Sequence, residues 1–126
     1  MKSWVLILGG STGHGAATAI KLAKKGYGII AFHFDRGEAK KIANQTIDKV
    51  NKITDGNCHY FNTNATSDQA MEKYIPKIKE ITKGRPLKLL LHSIAFGTTT
   101  NFFGEKPVTQ RQMDMTVHIM GNSLLY

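Results

Sequence analysis

Several residue types and features are scarce in this 126-residue chain. Its single cysteine, Cys58, excludes an internal disulfide, and we expect an inert, buried thiol in a cytoplasmic protein. Its five histidines lack the spacing that would place two of them on one helix face, so no metal site is predicted. The opening apolar run from Trp4 to Leu8 ends at Gly9, well short of a signal-peptide core or a membrane span.

Acidic residues are also scarce, because nine of them stand against 17 lysines and arginines, for a formal net charge of +8. A basic balance of this kind suits nucleic acid, a phosphate-bearing cofactor or an acidic partner. Most of the lysines, however, fall on the polar faces of predicted helices, where solvation is a sufficient explanation. No exposed aromatic pattern lies among them, so neither a nucleic-acid partner nor a membrane partner is expected.

The chain alternates short apolar runs with longer segments of helical period, which is typical of strand-helix units around a parallel sheet. We predict one α/β domain with a parallel sheet over residues 1–126. Strands are expected at residues 2–8, 27–34, 57–62 and 87–92. Helices are expected at residues 13–25, 39–53, about 66–83 and from 109 onward.

The helix faces expected to turn inward are defined by apolar residues at helical spacing. They are Ala16, Ala17, Ile20 and Ala23; Ala39, Ile42, Ala43, Ile47, Val50 and Ile53; Met71, Tyr74, Ile75, Ile78 and Ile81; and Met113, Val117, Met120 and Leu124. Capping boxes are expected at Thr66 with Gln69 and at Thr109 with Gln112. Pro76 should kink or break the third helix.

A glycine-rich loop, Gly9-Gly10-Ser11-Thr12-Gly13-His14-Gly15, joins the first strand to the first helix. Glycine is required where the chain turns sharply off a strand and where a side chain would collide with a pyrophosphate. The N–H groups and the positive dipole end of the following helix would face that anion. Asp35, about 20 residues further on at the end of the second strand, is placed to hydrogen-bond a ribose hydroxyl. The loop therefore predicts a dinucleotide site.

This glycine pattern resembles that of the short-chain dehydrogenase/reductase family, and the resemblance extends over the whole chain. It implies a three-layer Rossmann-type dinucleotide-binding domain over residues 1–126, incomplete at its C-terminal end. The implied strand order is 3-2-1-4, with the cofactor crossing the carboxyl ends of the strands. The family's Asp-Val pair after the third strand corresponds here to Asn64-Ala65. Its Asn-Asn-Ala-Gly corresponds to His92-Ser93-Ile94-Ala95, which, followed by Phe96, is similar to the enoyl-acyl carrier protein reductase branch.

The resemblance also implies roles for individual residues. Gly9, Ser11, Thr12, Gly13, His14 and Gly15 would hold the pyrophosphate, Asn64 and Ala65 would lie on the adenine side, and Ser93, Ile94 and Ala95 on the nicotinamide side. Phe96 and Gly97 would begin the acyl pocket. The family's catalytic Tyr-x-x-x-Lys pair has no counterpart among the 126 residues, so no catalytic residue is assigned and enzymatic activity of this chain is left open.

The choice of dinucleotide depends on three residues near the end of the second strand. Asp35 favours NAD(H), whereas by family alignment His33 occupies the usual acid position and Arg36 is placed to meet the 2′-phosphate of NADP(H). The basic balance of the chain favours NADP(H) slightly. Both cofactors stay open at this point.

The parent reaction implied by the resemblance is reduction of a 2-enoyl thioester. The alternatives are a carbonyl (ketoacyl) reductase of the same family and a non-catalytic nucleotide-binding or assembly module. Residues 109–126 are expected to mediate homo-oligomerisation, because the equivalent helix is a subunit interface in the family and the edge of the fourth strand would be bare.

Overall fold

The computed structural model describes residues 2–94 and 103–120, and these belong to two compact units. The first unit, Met1–Ser93, contains strands β1 (Trp4–Leu8), β2 (Gly28–His33), β3 (Cys58–Asn62) and β4 (Leu89–His92). Its helices are α1 (Gly13–Lys24), α2 (Glu38–Thr54) and α3 (Asp68–Thr82). The second unit, Ile94–Tyr126, contains helix α4 (Gln110–Met120). The alternating order of strands and helices is the one predicted from the sequence.

The four strands form one parallel sheet in the order β3-β2-β1-β4, as predicted. The register pairs Leu8 of β1 with Phe32 and His92, and His33 of β2 with Asn62. Because all four strands run in the same direction, their carboxyl ends meet at one edge of the sheet. The segments that follow β1, β2, β3 and β4 are therefore brought to that edge.

The core of the first unit is centred on β2, in which all six residues are buried. Burial on both faces explains why this strand is a continuous apolar run and not an alternating one. A contiguous hydrophobic cluster is formed by Val5, Ile7, Ala19, Ala23, Ile29, Ala31 and Val50. This cluster joins β1 and β2 to α1 and α2. The packing of these two helices on the sheet therefore depends on small residues in α1 and on Val50 in α2.

The inward faces predicted for the helices are correct for some positions and wrong for others. In α1, Ala17 is exposed and Ala19 is fully buried in its place. In α2, Ala43 and Val50 are buried, but Ala39 and Ile42 are exposed, with Ile42 at 55%. In α3, Ile75 is 46% exposed. The apolar spacing defines a wide stripe, whereas the sheet contacts only its centre, so residues at the margin of the stripe stay exposed.

The start of α3 differs from the prediction by one residue. Ser67, not Thr66, is the N-cap, and its hydroxyl accepts a hydrogen bond from the Ala70 N–H at 3.4 Å. Thr66 is engaged by the preceding Asn64 side chain, whose carbonyl oxygen accepts from the Thr66 hydroxyl at 2.6 Å. Because the Thr66 side chain is bonded to Asn64, it does not cap the helix, and the helix begins one residue later than predicted. The helix then continues through Pro76, so a break there was not required.

Helix α4 begins with the predicted reciprocal cap. The Gln112 N–H donates to the Thr109 hydroxyl at 3.2 Å, and the Gln112 side-chain oxygen accepts from the Thr109 N–H at 2.9 Å. None of the residues of α4 is buried, and Met113, Met115, Val117 and Met120 are each more than two-fifths exposed. Within the described ranges, no helix has the length and apolarity needed to cross a membrane.

The burial difference between Ile29 and Ile42 gives a direct test of where the core lies. Ile29 is fully buried in β2, and Ile29→Ala should lower the free energy of unfolding by about 2–5 kcal/mol, because it removes buried methyl groups and leaves a cavity. Ile42→Ala is the matched control and should change it by less than about 0.5 kcal/mol. Chemical denaturation of both variants measures the difference, and equal costs would contradict this placement of the core.

Candidate functional site

The glycine loop turns directly off the end of β1 and is attached to the end of β2. The N–H groups of Gly9 and Gly10 both donate to the Phe32 carbonyl oxygen, at 2.8 and 3.1 Å. Gly9 has a φ of +91°, a conformation that side chains rarely adopt. The loop thus leaves β1 at the carboxyl edge of the sheet and leads into α1 after three further residues.

Two side chains that the sequence did not single out hold this loop from outside. The Thr46 hydroxyl in α2 donates to the Ser11 carbonyl oxygen at 2.9 Å, and the Tyr60 hydroxyl in β3 donates to the Gly10 carbonyl oxygen at 3.0 Å. Burial raises the pKa of Tyr60, which keeps its hydroxyl protonated and able to donate. Neither residue lies near the loop in sequence, so no local pattern could identify them.

Three glycines of the loop are required for different reasons. A Cβ atom on Gly15 would overlap the carbonyl oxygen of Gly9, so the helix packs directly on the loop. A Cβ on Gly10 would lie 2.7 Å from the Ala31 Cβ, a contact that no local sequence pattern predicts. Gly13 is different, because it has a φ of +57° and nothing within 4 Å of a Cβ position. The space beside Gly13 is open.

The N-terminus of α1 lies at the carboxyl edge of the sheet, and neither a side-chain cap nor an acidic residue in the first turn offsets its positive charge. Its N-cap, Thr12, makes no side-chain cap, and the first turn contains no acidic residue. The first helical hydrogen bond runs from the Ala16 N–H to the Thr12 carbonyl, so the N–H groups of Gly13, His14 and Gly15 precede it. Among the helices in the described ranges, α2 and α3 have an acid in the first turn, and α4 has a side-chain cap. The positive end of α1 can therefore accept an anion.

A compact polar cluster lies where β2 ends beside the loop. The Asp35 carboxylate oxygen Oδ2 accepts a hydrogen bond from the Ser11 hydroxyl at 2.6 Å and contacts His33 Nδ1 at 2.8 Å. Ser11 and His33 are buried, and the Asp35 side chain is 14% exposed. Arg36 is exposed, with its guanidinium carbon 4.7 Å from the centre of the Phe34 ring. The structure thus brings Ser11, His33 and Asp35 into contact and leaves Arg36 on the surface.

The ends of β3 and β4 complete this edge of the first unit. Asn64 follows β3, and its side-chain oxygen accepts hydrogen bonds from the N–H and hydroxyl of Thr66. Ala65 beside it is partly buried. After β4, the Ser93 N–H donates to the Leu8 carbonyl at 2.8 Å, which places Ser93 next to the start of the glycine loop. Ile94 belongs to the second unit, and Ala95, Phe96 and Gly97 lie outside the described residues.

Other features of the first unit are separate from this edge. Cys58 is only partly buried, but this burial raises the pKa of its thiol to about 11, so the thiol is predominantly protonated at neutral pH. A cavity of about 480 Å³ lies at the opposite, amino edge of the sheet, lined by residues that include Trp4, His59 and Arg85. Within residues 2–94 and 103–120, no group of three metal-ligating side chains is present.

The family comparison agrees with this geometry. The model of the short chain dehydrogenase family matches residues 3–125, which is almost the whole chain. The chain belongs to the short-chain dehydrogenase family. Its glycine loop, parallel sheet and strand order are those of a family whose members bind NAD(P). No curated protein sequence matches the chain.

Solved structures of family members show the same fold. A short-chain dehydrogenase/reductase from Serratia marcescens matches with a TM-score of 0.78 and 17% identity over 99% of this chain. A short chain dehydrogenase from Bacillus anthracis matches with a TM-score of 0.75 and 17% identity over 98%. The chain spans 47% of the length of each of these two structures. It therefore corresponds to about half of a family member.

The contribution of the hydrogen bond between the Tyr60 hydroxyl and the loop can be tested by removing one oxygen atom. Tyr60→Phe deletes the hydrogen bond to the Gly10 carbonyl and should lower the free energy of unfolding by about 0.5–1.5 kcal/mol. Tyr27→Phe is the control, because the Tyr27 hydroxyl makes no hydrogen bond to any residue of the described ranges, and it should be close to neutral. Urea denaturation compares the two. If Tyr60→Phe lowers the free energy of unfolding no more than Tyr27→Phe does, the hydrogen bond to Gly10 does not stabilise the loop.

Proposed function

We propose that residues 2–93 bind a nicotinamide dinucleotide, with its pyrophosphate at the N-terminus of α1. The observation that carries this proposal is the uncompensated helix N-terminus beside the open space at Gly13. Gly9, Gly13 and Gly15 allow close approach of the backbone, while the N–H groups of Gly13, His14 and Gly15 are the donors. Thr12 and His14 are exposed at the same place and line the phosphate path.

The rest of the cofactor would cross the carboxyl edge of the sheet in two directions. In one direction, Asn64 and Ala65 would border the adenine, and Asp35, His33 and Arg36 the adenosine ribose. In the other, Ser93 would begin the nicotinamide side, together with Ile94 and Ala95. Arg36 supports NADP(H), since it is an exposed cation, and Asp35 supports NAD(H), since it is an anion at the strand end.

Dinucleotide binding is tested by calorimetric titration of the chain with NADH and with NADPH. Gly13→Val should abolish binding, because a branched side chain would fill the open space in which the pyrophosphate lies. The left-handed φ of Gly13 also makes this substitution costly, by about 1–2 kcal/mol. Gly84→Val is the matched control, since Gly84 has a φ of +76° and open space but lies at the amino edge. Unchanged affinity in Gly13→Val would place the ligand elsewhere.

We also propose that the parent reaction is hydride transfer from the reduced nicotinamide to the β-carbon of a 2-enoyl thioester. The support is the segment His92-Ser93-Ile94-Ala95-Phe96, which follows β4 and is similar to the enoyl reductase branch of the family. Phe96 and Gly97 would begin the acyl pocket. The alternative substrate is a ketoacyl thioester, since the glycine loop is shared by both kinds of reductase.

The substrate proposal is tested by following nicotinamide absorbance with crotonyl and ketoacyl thioesters. The 126 residues contain no Tyr-x-x-x-Lys pair, so we expect turnover only from a chain extended through the family's tyrosine and lysine. Loss of one donor to a developing oxyanion typically costs roughly 10²–10³ in rate. Preference of the extended chain for the ketoacyl substrate would refute the enoyl assignment and leave the cofactor site intact.

We further propose that residues 109–126 mediate self-association. The support within the described part of that range is α4, in which Met113, Val117 and Met120 are exposed at helical spacing. A stripe of this kind is typical of a helix that packs against another chain.

A further inference from the structure

The peptide group between Ser11 and Thr12 is the last one before α1 begins, and a side chain of α2 holds it. The Thr46 hydroxyl donates to the Ser11 carbonyl oxygen at 2.9 Å, across 35 residues of sequence. The Ile42 carbonyl oxygen of its own helix lies further from the same hydroxyl, at 3.4 Å. A threonine hydroxyl has one proton, and the shorter contact has the better hydrogen-bond distance. Thr46 therefore binds the loop in preference to its own helix.

The hydrogen bond from Thr46 also fixes the direction of the Thr12 N–H. The peptide bonds of the described ranges are trans, and in a trans peptide the carbonyl oxygen and the N–H point in opposite directions. Because the Ser11 carbonyl is directed towards α2, the Thr12 N–H is directed away from α2. The Tyr60 hydroxyl holds the carbonyl of the preceding residue, Gly10, at 3.0 Å. Two consecutive peptide groups of the loop are thus fixed from outside.

The Thr12 N–H has no hydrogen-bond acceptor among the residues that the structure describes. Thr12 is the N-cap of α1, and in a capping box the side chain of the third helical residue accepts from the N-cap N–H. Here the third helical residue is Gly15, which has no side chain, and a Cβ atom at that position would overlap the Gly9 carbonyl oxygen. Thr12 is itself exposed, so its N–H is available to an acceptor from outside the protein.

The same geometry places this N–H beside the donors at the start of α1. A side chain on the third helical residue can reach the N-cap N–H only because the two lie close together. The Thr12 N–H therefore lies next to the N–H groups of Gly13, His14 and Gly15, which precede the first helical hydrogen bond. A fourth N–H at this end would give a bound anion one further charge-assisted hydrogen bond.

We propose that Thr46 is a positioning residue for dinucleotide binding, because it holds the Ser11–Thr12 peptide with the Thr12 N–H directed to the pyrophosphate. This role of Thr46 rests on the proposed dinucleotide site, and it adds to that site a residue of α2 that does not touch the ligand. Without the Thr46 hydroxyl, the peptide can rotate and turn its carbonyl oxygen towards the phosphate. A carbonyl oxygen carries partial negative charge, so this rotation would weaken binding of the anion.

Fluorescence titration with NADH and with NADPH measures the dissociation constants of the 126-residue chain and three variants. Thr46→Val has a similar shape without the hydroxyl and should weaken binding of both nucleotides about tenfold, the effect of one hydrogen bond to a charged group. Thr46→Ser keeps a hydroxyl and should restore most of the affinity. Thr54→Val is the matched control, since the Thr54 hydroxyl donates to the Val50 carbonyl of the same helix, and it should leave both affinities unchanged.

A second measurement follows the backbone amide of Thr12 by NMR spectroscopy during titration with NADH and with inorganic pyrophosphate. The amide proton should shift downfield in the unsubstituted chain and in Thr46→Ser, because it forms a hydrogen bond to phosphate. In Thr46→Val the shift should be much smaller. A role of Thr46 in stability alone would lower the melting temperature of Thr46→Val and leave the Thr12 shift intact.

Four results would each overturn the role of Thr46 and leave the dinucleotide site standing. They are unchanged affinity in Thr46→Val, no recovery in Thr46→Ser, an equal loss in Thr54→Val, and a Thr12 amide that does not shift when the unsubstituted chain binds NADH. Thermal unfolding without ligand identifies a variant that fails to fold. If Thr46→Val fails to fold, the Thr12 shift in the unsubstituted chain decides. Binding of neither nucleotide to the unsubstituted chain would overturn both proposals.

Discussion

The carbonyl oxygen of Phe32 accepts hydrogen bonds from two consecutive glycine N–H groups, and the rest of the site depends on this attachment. These two hydrogen bonds direct the chain away from β1 and against the end of β2 within two residues. The approach is close enough that a Cβ atom on Gly10 would lie 2.7 Å from the Ala31 Cβ. Side chains at these positions would separate the loop from the strand, and α1 would then start elsewhere.

The direction of α1 follows from this attachment. Because Gly15 packs on the Gly9 carbonyl, the first turn of the helix lies against the loop, and its first N–H groups precede the first helical hydrogen bond. The helix is then held along its length by small residues, with Ala19 and Ala23 buried against β1 and β2. A positive helix end without an acid or a cap is less stable than one with such a group. An anionic ligand would offset that difference.

The same attachment brings polar side chains of the loop and of the end of β2 into contact. Since the loop lies beside the end of β2, the Ser11 side chain reaches Asp35, which is 24 residues away in sequence. Thr46 and Tyr60 then hold the loop carbonyls from α2 and β3, so three neighbouring elements fix one short turn. Hydrogen bonds of this kind fix the loop within the protein itself, and such preorganisation lowers the entropic cost of any binding at this edge.

The order of strands and helices, the strand-loop-helix turn and the α4 cap could all be predicted from the sequence, because each depends on local apolar period, glycine placement or a hydrogen bond within one turn of helix. The same patterns misplaced Ala17 and Ile42, because the width of a buried stripe is decided by neighbours in space. The N-cap of α3 was misplaced for a local reason, because the Asn64 side chain bonds Thr66 and the capping-box pattern does not include that residue. Family resemblance, and not periodicity, indicated strand order 3-2-1-4.

The sequence by itself determined that this chain forms parallel strand-helix units and turns through glycine after its first strand, since those properties follow from backbone freedom and apolar spacing. Only the tertiary structure decided which polar groups meet at that turn. The contacts of Asp35 with Ser11 and Asn62 join residues 24 and 27 positions apart, and no local pattern encodes them. They exist because parallel pairing brings the ends of β1, β2 and β3 to one edge, where side chains distant in sequence become neighbours.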